Sequence, residues 1–469
     1  MVRHGSEYRV DGEVGRFRFG LFDVVDEAGE LVLAGRQLWP SCAGRQWYPT
    51  AGFKELAWLT GATQRSYRQT VEQFNRSRHQ EVDGTPLNSL RDGAEREGGK
   101  IIEFLDHHSE KVLRAHQFDA EGRPAASAPL VGEVASFEPT RLSDSTVDEA
   151  LAVVEQAMRQ RGLAEELIEE VQQQNHGADY EHPHDTVTIA VDDVGVKEQK
   201  AERVRQGGRS ATDPGAELEA VAETKAVAEP TAVNEPFAPP APKANQRPTV
   251  HNTVAQIERP GQRFTLTGTS VGQVLRFVLA FLLTHGLLAQ RLRFFTDGQR
   301  SLQGAILTFF SWHPAASLIL DWFHLVKKFK EQLSLACRGR EIRNRHLQVL
   351  LGLLWFGLLD RAQDYLRSIT ASELKDPAAM ERLIGYLERN RSHIPCYALR
   401  RQLGLPNSSN PVERANHLVT SNRQKHHGMS WSKPGSYALT ALSAVVLNGA
   451  TRAWVRNRII PFKFVAKAA

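Results

Sequence analysis

Three carboxylates stand where a sheet-based protein could gather the ligands of a metal ion. Asp192 falls in the β-branched run 185–196, Asp297 follows a later strand-like run, and Glu413 lies in the segment Asn-Pro-Val-Glu-Arg-Ala-Asn. Pro411 suits the first turn of a helix, which places Glu413 near the positive end of that helix. Carboxylates are ligands for Mg²⁺, and two such ions about 4 Å apart can stabilise both oxygens of an in-line phosphoryl transfer. Spacing alone does not specify the site, because the chain has 54 acidic residues.

The hydrophobic pattern predicts an α/β core that would carry these acids. Short β-branched runs predict strands, and a 3.6-residue period predicts helices. The stretch 207–249 is acidic and rich in Pro and Ala, which is typical of a disordered loop. The predicted strands are 185–196, 250–258, 263–267, 292–296 and 316–320, and the predicted helices cover 270–288, 302–310 and most of 325–403.

The N-terminal region 1–118 is predicted to be mainly helical. Residues 53–78 have the sequence pattern of a helix-turn-helix, in which two helices are separated by a turn at Gly61. A core face at helical spacing in the second helix leaves basic side chains available to DNA, namely Arg65, Arg68, Arg76 and Arg78. An ordinary helical hairpin with solvated arginines explains the same pattern. A second helical unit begins at Thr85-Pro86 and is expected to break at Gly98-Gly99.

Composition shifts divide the rest of the chain. Residues 119–142 are rich in Ala, Gly, Pro and Ser and predict a linker, and an amphipathic helical pair split at Gly162 follows. The predicted organisation is a DNA-binding region 1–118, a linker 119–142, a helical connector 143–184, a first part of the core 185–324, a helical insertion 325–403 and a second part of the core 404–469.

Composition also limits the function classes. The chain has 469 residues with a formal charge of +4, so a nucleic-acid surface requires local clustering of basic residues. Three distant cysteines exclude a Cys-only zinc site and a disulfide framework, which fits a reducing cytoplasm. The most apolar window, 271–288, contains Gln273, Arg276 and His285, which favours a buried helix over a membrane span. We therefore expect a soluble, intracellular protein.

Four strings carry a resemblance to a known family. They are Val-Asp-Asp-Val-Gly-Val-Lys, Phe-Thr-Asp-Gly, Leu-Asp-Trp-Phe-His-Leu-Val-Lys-Lys and Asn-Pro-Val-Glu-Arg-Ala-Asn-His-Leu-Val-Thr-Ser-Asn-Arg-Gln-Lys-His-His-Gly-Met-Ser-Trp. In this order they resemble the core of bacterial insertion-sequence DDE transposases of the ISKra type, which are related to the Mutator-like group. The resemblance covers about 185–450, without the acidic loop.

The resemblance implies an RNase H-like fold, a mixed sheet flanked by helices with a helical insertion between the second and third acids. It implies that Asp192, Asp297 and Glu413 are the catalytic acids and metal ligands, although the first acid could also be Asp193. Asp321 and His324 match the supporting Asp-x-x-His motif of this group, although a buried His–Asp pair explains them as well.

The helix after the third acid carries basic residues of its own. If this helix continues, it puts positive charge beside the proposed metal site, where a phosphate backbone would approach. The basic residues in question are Arg414, Arg423 and Lys425. In the same segment Trp431 would be either a core anchor, which we favour, or a platform for base stacking.

The implied activity is cleavage of double-stranded DNA at element ends and transfer of the cut strand to target DNA, with two Mg²⁺ or Mn²⁺ ions. The implied assembly is a homo-oligomer on DNA in the cytoplasm, at the bacterial nucleoid. Three alternatives stay open: a two-metal nuclease without strand transfer, a domesticated DNA-binding protein without catalysis, and a transcription regulator built on the N-terminal helices. The last of these leaves the remaining 300 or so residues without a purpose.

Overall fold

The computed structural model describes residues 2–32, 47–64, 66–79, 85–199, 248–425 and 429–467. These residues form a mixed α/β structure with two sheets. In chain order the strands are β1 Val2–Gly12, β2 Gly15–Val25, β3 Leu31–Val32, β4 Trp47–Pro49, β5 Thr186–Lys197, β6 Thr249–Arg259, β7 Gln262–Gly268, β8 Arg291–Thr296, β9 Ala316–Leu320 and β10 Val465–Ala466. The helices are α1 Ala51–Thr63, α2 Tyr67–Ser77, α3 Leu87–Ala115, α4 Pro129–Ala135, α5 Asp144–Gln160, α6 Glu165–Asn175, α7 Val271–Thr284, α8 Arg300–Phe309, α9 Trp322–Ala336, α10 Arg340–Trp355, α11 Leu359–Ser368, α12 Pro377–Arg389, α13 Tyr397–Gln402, α14 Asn410–Asn416, α15 Lys433–Leu447 and α16 Thr451–Asn457.

The larger sheet has six strands in the order β10-β7-β6-β5-β8-β9. Strands β5, β6 and β7 pair antiparallel, whereas β8 and β9 run parallel to β5. The β6–β7 turn contains Gly261, whose φ of +73° suits glycine. Each of the five strands predicted between 185 and 320 is present, so the prediction of a mixed sheet is confirmed.

One face of this sheet is covered by the apolar helix α7 and by α15, and α3 packs against both helices. Ten residues of α7 are buried, because the sheet and the helices α3 and α8 enclose it. The polar residue Gln273 is accommodated in this apolar run because its side-chain amide donates a hydrogen bond of 2.7 Å to Asp106 of α3.

Among the helices in the described ranges, none combines the length and the apolar character that crossing a membrane requires.

The opposite face is covered by two groups of helices. The first is the predicted pair α5 and α6, separated at Gly162 with φ +72°. The second consists of α9 to α13, which occupy the predicted helical stretch 325–403. A second core cluster joins them to the sheet and includes Val154, Ile168, Phe295 and Phe329. The strands that carry the acids are thus held between two hydrophobic cores.

The first fifty residues depart from the prediction of a mainly helical N-terminal region. Strands β1 to β4 form a separate sheet in the order β3-β2-β1-β4. Tyr8 and Val10 are buried while Arg9 between them is exposed, which is the two-residue period of a strand. The first helix in the described residues is α1; it includes Gly61 and ends at Thr63, and α2 begins at Tyr67.

Helix α3 is also different from the prediction of two helices separated at Gly98-Gly99. It runs unbroken for 29 residues. A Cβ on Gly98 would lie 2.1 Å from the carbonyl oxygen of Ala438 in α15, so this glycine permits close helix packing. Gly99 has open space at its Cβ position. Gly98 therefore marks the contact between α3 and α15 and not the end of a helix.

The predicted linker 119–142 carries ordered structure. It contains α4, in which Val134 is buried, and a β-bridge joins Arg141 to Glu181. Small residues permit this close packing and also resemble loop composition, which is why composition alone suggested a linker. The predicted disordered loop 207–249 lies outside the described residues apart from its last two positions.

Candidate active site

The strand register distinguishes the two adjacent carboxylates of β5. Ala190 pairs with Phe295 of β8, and both side chains are buried in the same core cluster. Because side chains alternate along a strand, Asp192 lies on the face of Ala190, and Asp297 follows Phe295 by the same two positions. Asp193 lies on the other face. The register thus directs Asp192, within β5, and Asp297, directly after the end of the parallel strand β8, to the same face of the sheet.

Asp193 has a local role on its own face of the sheet. Its carboxylate accepts a hydrogen bond of 2.5 Å from the Thr253 hydroxyl, across the β5–β6 pair. This contact ties two strands together and is independent of the second acid.

Asp192 is in an environment that disfavours its negative charge. Burial and the nearby charge of Asp297 raise the pKa of Asp192 to about 6, with His324 opposing the shift. The side-chain amide of Asn416 donates a hydrogen bond of 2.5 Å to Asp192 Oδ2. The other amide atom, Asn416 Oδ1, is buried and has no hydrogen-bond partner among the described residues. A bound cation would neutralise the adjacent charges of Asp192 and Asp297 and would give the unpartnered Asn416 Oδ1 a partner.

The turn that carries Asp297 is tightly confined. Asp297 Oδ1 accepts a hydrogen bond of 2.9 Å from the backbone N–H of Gln299. Gly298 has φ +85°, and a Cβ there would lie 2.5 Å from the hydroxyl of Tyr386 in α12. Only glycine fits this conformation and this space without rearrangement. The helical insertion therefore helps to fix the second acid.

The third acid is linked to the other two through His324. Its Nε2 lies 3.4 Å from Glu413 Oε1, and its Nδ1 lies 3.2 Å from Asp321 Oδ1. The contact with Asp321 raises the pKa of His324 against the opposing effect of burial, and the charges of Glu413 and Asp297 add to the rise. A cationic His324 would thus bridge Asp321 to the acid cluster.

Asp321 is fully buried and holds two elements in place. It caps α9 by accepting a hydrogen bond of 2.7 Å from the backbone N–H of His324. It also accepts hydrogen bonds from the Ser409 hydroxyl, at 2.8 Å, and from the Ser409 backbone N–H. Although burial alone would raise its pKa, the interaction with the His324 side chain and these hydrogen bonds lower it. Because Ser409 directly precedes α14, Asp321 fixes the start of the helix that carries Glu413.

Glu413 lies in the first turn of α14, which has Pro411 at its start as predicted. Its side chain is 47% exposed, so it faces the surface of the cluster. Val412 and Ala415 on the opposite side are buried in the core. The helical path then continues through the π-helical segment His417–Ser421 and the short α-helical segment Asn422–Gln424.

The basic residues predicted to bind DNA divide into two groups. The side chains of Arg68, Arg76, Arg414 and Lys425 are exposed. Arg65 lies outside the described residues. The two remaining arginines are buried, and the expectation that they face DNA needs correction.

Arg78 is 2% exposed and binds inside the N-terminal region. Its Nη2 donates a hydrogen bond of 2.9 Å to the buried Asp11, and its guanidinium lies 4.9 Å from the ring centres of Phe53 and Phe74. The reason is a strand that the sequence reasoning missed, because β1 supplies the carboxylate. Arg78 therefore joins the small sheet to the helices.

Arg423 is 1% exposed and lies over two aromatic rings. Its guanidinium is 4.5 Å from the ring centre of Tyr67 and 5.7 Å from that of Trp431. Trp431 is itself buried, as favoured, and its backbone N–H donates to the carbonyl of Lys197 at the end of β5. Arg423 thus connects α2 to the segment around Trp431 beside β5 and is not available to a phosphate.

The arrangement brings together the five residues predicted to be catalytic or supporting, Asp192, Asp297, Asp321, His324 and Glu413. Sequence reasoning missed Asn416 and Ser409. Asn416 stands three positions after Glu413 in a predicted helix, and that spacing was a usable signal. Ser409 gave no such signal, since its hydrogen-bond partner Asp321 is distant in sequence.

The donor set of the three acids fits a hard cation such as Mg²⁺, since it consists of carboxylate oxygens with an unpartnered amide oxygen beside them. In the parts of the chain that the structure describes, no three His, Cys, Asp or Glu side chains form a complete metal-ligand group. No protein-family model, curated protein or solved structure matches the chain.

Proposed function

We propose that this protein is a DDE-type DNA transposase with an RNase H-like core. The observation that carries the proposal is the position of the acids: Asp192 within β5 and Asp297 directly after the neighbouring strand β8, on one face of the sheet, with Glu413 joined to them through His324. This is the arrangement expected from the family resemblance, with two acids on the sheet and the third on a later helix.

In this proposal the three acids hold two Mg²⁺ or Mn²⁺ ions. Bound divalent cations supply charge stabilisation for the attacking and leaving oxygens of a phosphodiester. Asp192 and Asp297 present their carboxylates from two neighbouring interior strands of the sheet, and Asn416 orients Asp192. His324 positions Glu413, while Asp321 holds both His324 and the start of α14. No covalent enzyme intermediate is required.

The proposed partner is double-stranded DNA, at the element ends and at the target. The exposed Arg68 and Arg76 of α2 support an N-terminal DNA-binding role with helix-turn-helix character. Arg414 and Lys425 place positive charge after the third acid. We further propose a homo-oligomer on DNA, since two element ends must be brought together, in the cytoplasm at the nucleoid.

The proposal is tested with the full chain, Mg²⁺ and a plasmid that carries the DNA flanking its own gene. We expect specific cuts at the element ends and joined products with the wild type. Glu413→Gln should abolish both while DNA binding persists, because the carboxylate acts on the reaction and not on the duplex. The matched control is Glu381→Gln, a change at an exposed position of α12, which should react as the wild type does.

Other products would contradict the proposal in distinct ways. Cuts without joined products would indicate a two-metal nuclease. DNA binding without any metal-dependent cut would indicate a domesticated DNA-binding protein. An equal loss of DNA binding in Glu413→Gln would contradict the role given to Glu413.

A further inference from the structure

Phe323 is an exposed aromatic side chain beside the candidate active site. It is 53% exposed, although it lies between Asp321 and His324, which contact the acid cluster. On a helix, neighbouring residues point about 100° apart, so Phe323 faces outward where His324 faces the acids. A large apolar ring at this place presents a flat surface next to the proposed reaction centre.

The outward face of α9 continues from this ring with positive charge. Lys327 and Lys330 follow Phe323 by four and seven positions, which puts all three on one side of the helix. Both lysines are exposed. The opposite side of α9 is buried through Leu325, Phe329 and Leu333, so the direction of this face is fixed. We call Phe323, Lys327 and Lys330 the α9 stripe.

An aromatic ring followed by lysines suits a nucleic-acid strand whose bases are unpaired. Aromatic rings stack on bases of any sequence, and lysines neutralise backbone phosphates. Within a paired duplex the base faces are already stacked on one another, so the ring can contact a base face only where the strand is opened. Trp431, the other aromatic considered for stacking, is 6% exposed and packs in the core.

We infer that Phe323 stacks on an unpaired base of the DNA strand next to the reacting phosphate, and that Lys327 and Lys330 bind phosphates of the same strand. The inference rests on the proposed function, because it places the strand at the acids. It adds a property that the acids do not provide, a preference for DNA ends with unpaired nucleotides.

The test measures binding of the full chain, with a chelator present, to two DNA probes. One is a blunt duplex, and the other is the same duplex with a short single-stranded overhang that carries 2-aminopurine. With the wild type we expect tighter binding of the overhang probe and a change in 2-aminopurine fluorescence on stacking. Phe323→Ala should weaken overhang binding roughly tenfold and lose the fluorescence change, since stacking on one base is lost.

Three variants make the result specific. Phe323→Trp should keep the overhang preference, because the ring is retained. Leu335→Ala removes another exposed apolar side chain of α9, 51% exposed and off the stripe, and should behave as the wild type. The double change Lys327→Ala and Lys330→Ala should lower the salt slope of overhang binding by about 1.4, as expected for two phosphate contacts on a single strand.

The outcomes separate this inference from the proposed function. If the wild type cuts and joins DNA but Phe323→Ala keeps the overhang preference, the stacking role is wrong and the function stands. Equal weakening of both probes in Phe323→Ala would also overturn the inference. If the wild type binds neither probe nor plasmid DNA, the proposed function and this inference fall together.

Discussion

Replacing Asp192 by Asn should stabilise the metal-free protein at neutral pH. Burial and the charge of Asp297 raise the pKa of Asp192 from 3.8 to about 6. Between these two values the folded state binds more protons than the unfolded state, so the free energy of unfolding decreases as pH rises. The shift corresponds to about 3 kcal/mol of lost stability above pH 6, as an order of magnitude. The amide of the Asp192→Asn variant carries no charge and avoids this loss.

The assay is urea or thermal unfolding with a chelator present, at about pH 4 and at about pH 8. Asp192→Asn should be more stable than the wild type at the higher pH and nearly equal to it at the lower pH, where the wild-type carboxyl is largely protonated in the folded state. The matched control is Asp193→Asn. It changes the neighbouring carboxylate, whose contact is with Thr253 on the other face, and should bring no such gain.

Two results would refute this reasoning. An Asp192→Asn variant that is no more stable than the wild type at the higher pH would show that the charge of Asp192 beside Asp297 does not destabilise the folded protein. A stability gain of Asp193→Asn in place of Asp192→Asn would make Asp193 the first acid.

The remaining predictions concern stability away from the acids. Gly98→Ala should lower the free energy of unfolding by roughly 1–3 kcal/mol, because its Cβ would meet the backbone of α15. Gly99→Ala should raise the free energy of unfolding by about 0.5–1 kcal/mol, because its Cβ position is open. Chemical denaturation of both variants measures these changes, and an equal effect at the two sites would contradict the packing of α3 against α15. Glu181→Gln should destabilise the protein by about 3–5 kcal/mol at neutral pH, since it leaves the buried Arg400 without its carboxylate. Burial alone would raise the pKa of Glu181, but Arg400 and Arg293 lower it to about 2, so the wild-type advantage should fade as pH falls from 4.5 towards 2. Thermal unfolding across that range measures the difference, and an advantage that persists below pH 2 would contradict the ion-pair account.

The elements that carry the acids could be predicted from the sequence because their signals are local. The β-branched run of β5 and the hairpin turn at Pro260-Gly261 specify strands through side-chain period and turn chemistry. The proline before Glu413 specifies a helix start in the same way. These signals placed the three acids on the correct elements.

The N-terminal sheet could not be predicted because its pairing depends on distant residues. The buried Asp11 in β1 is satisfied by Arg78, and no local pattern indicates an ion pair across 67 positions. The burial of Arg423 could not be predicted for the same reason, since its aromatic contacts come from Tyr67 and Trp431. An arginine can bury its long stem and stack its planar group, so a basic residue in a helix does not by itself indicate a DNA-facing position.

The choice between Asp192 and Asp193 also required the register. Alternation along β5 shows that the two carboxylates face opposite sides but not which side carries the second acid. The pairing of Ala190 with Phe295 supplies that information. The contribution of Asn416 becomes visible only when α14 is placed against β5.

Divalent-cation binding tests the central claim most directly. Mn²⁺ is titrated calorimetrically into the full chain in the presence of duplex DNA, for the wild type, Asp297→Asn and Asp193→Asn. If Asp192, Asp297 and Glu413 hold the two ions, Asp297→Asn should lose Mn²⁺ binding while Asp193→Asn binds as the wild type does. Equal binding by all three proteins, or equal loss in both variants, would contradict the account.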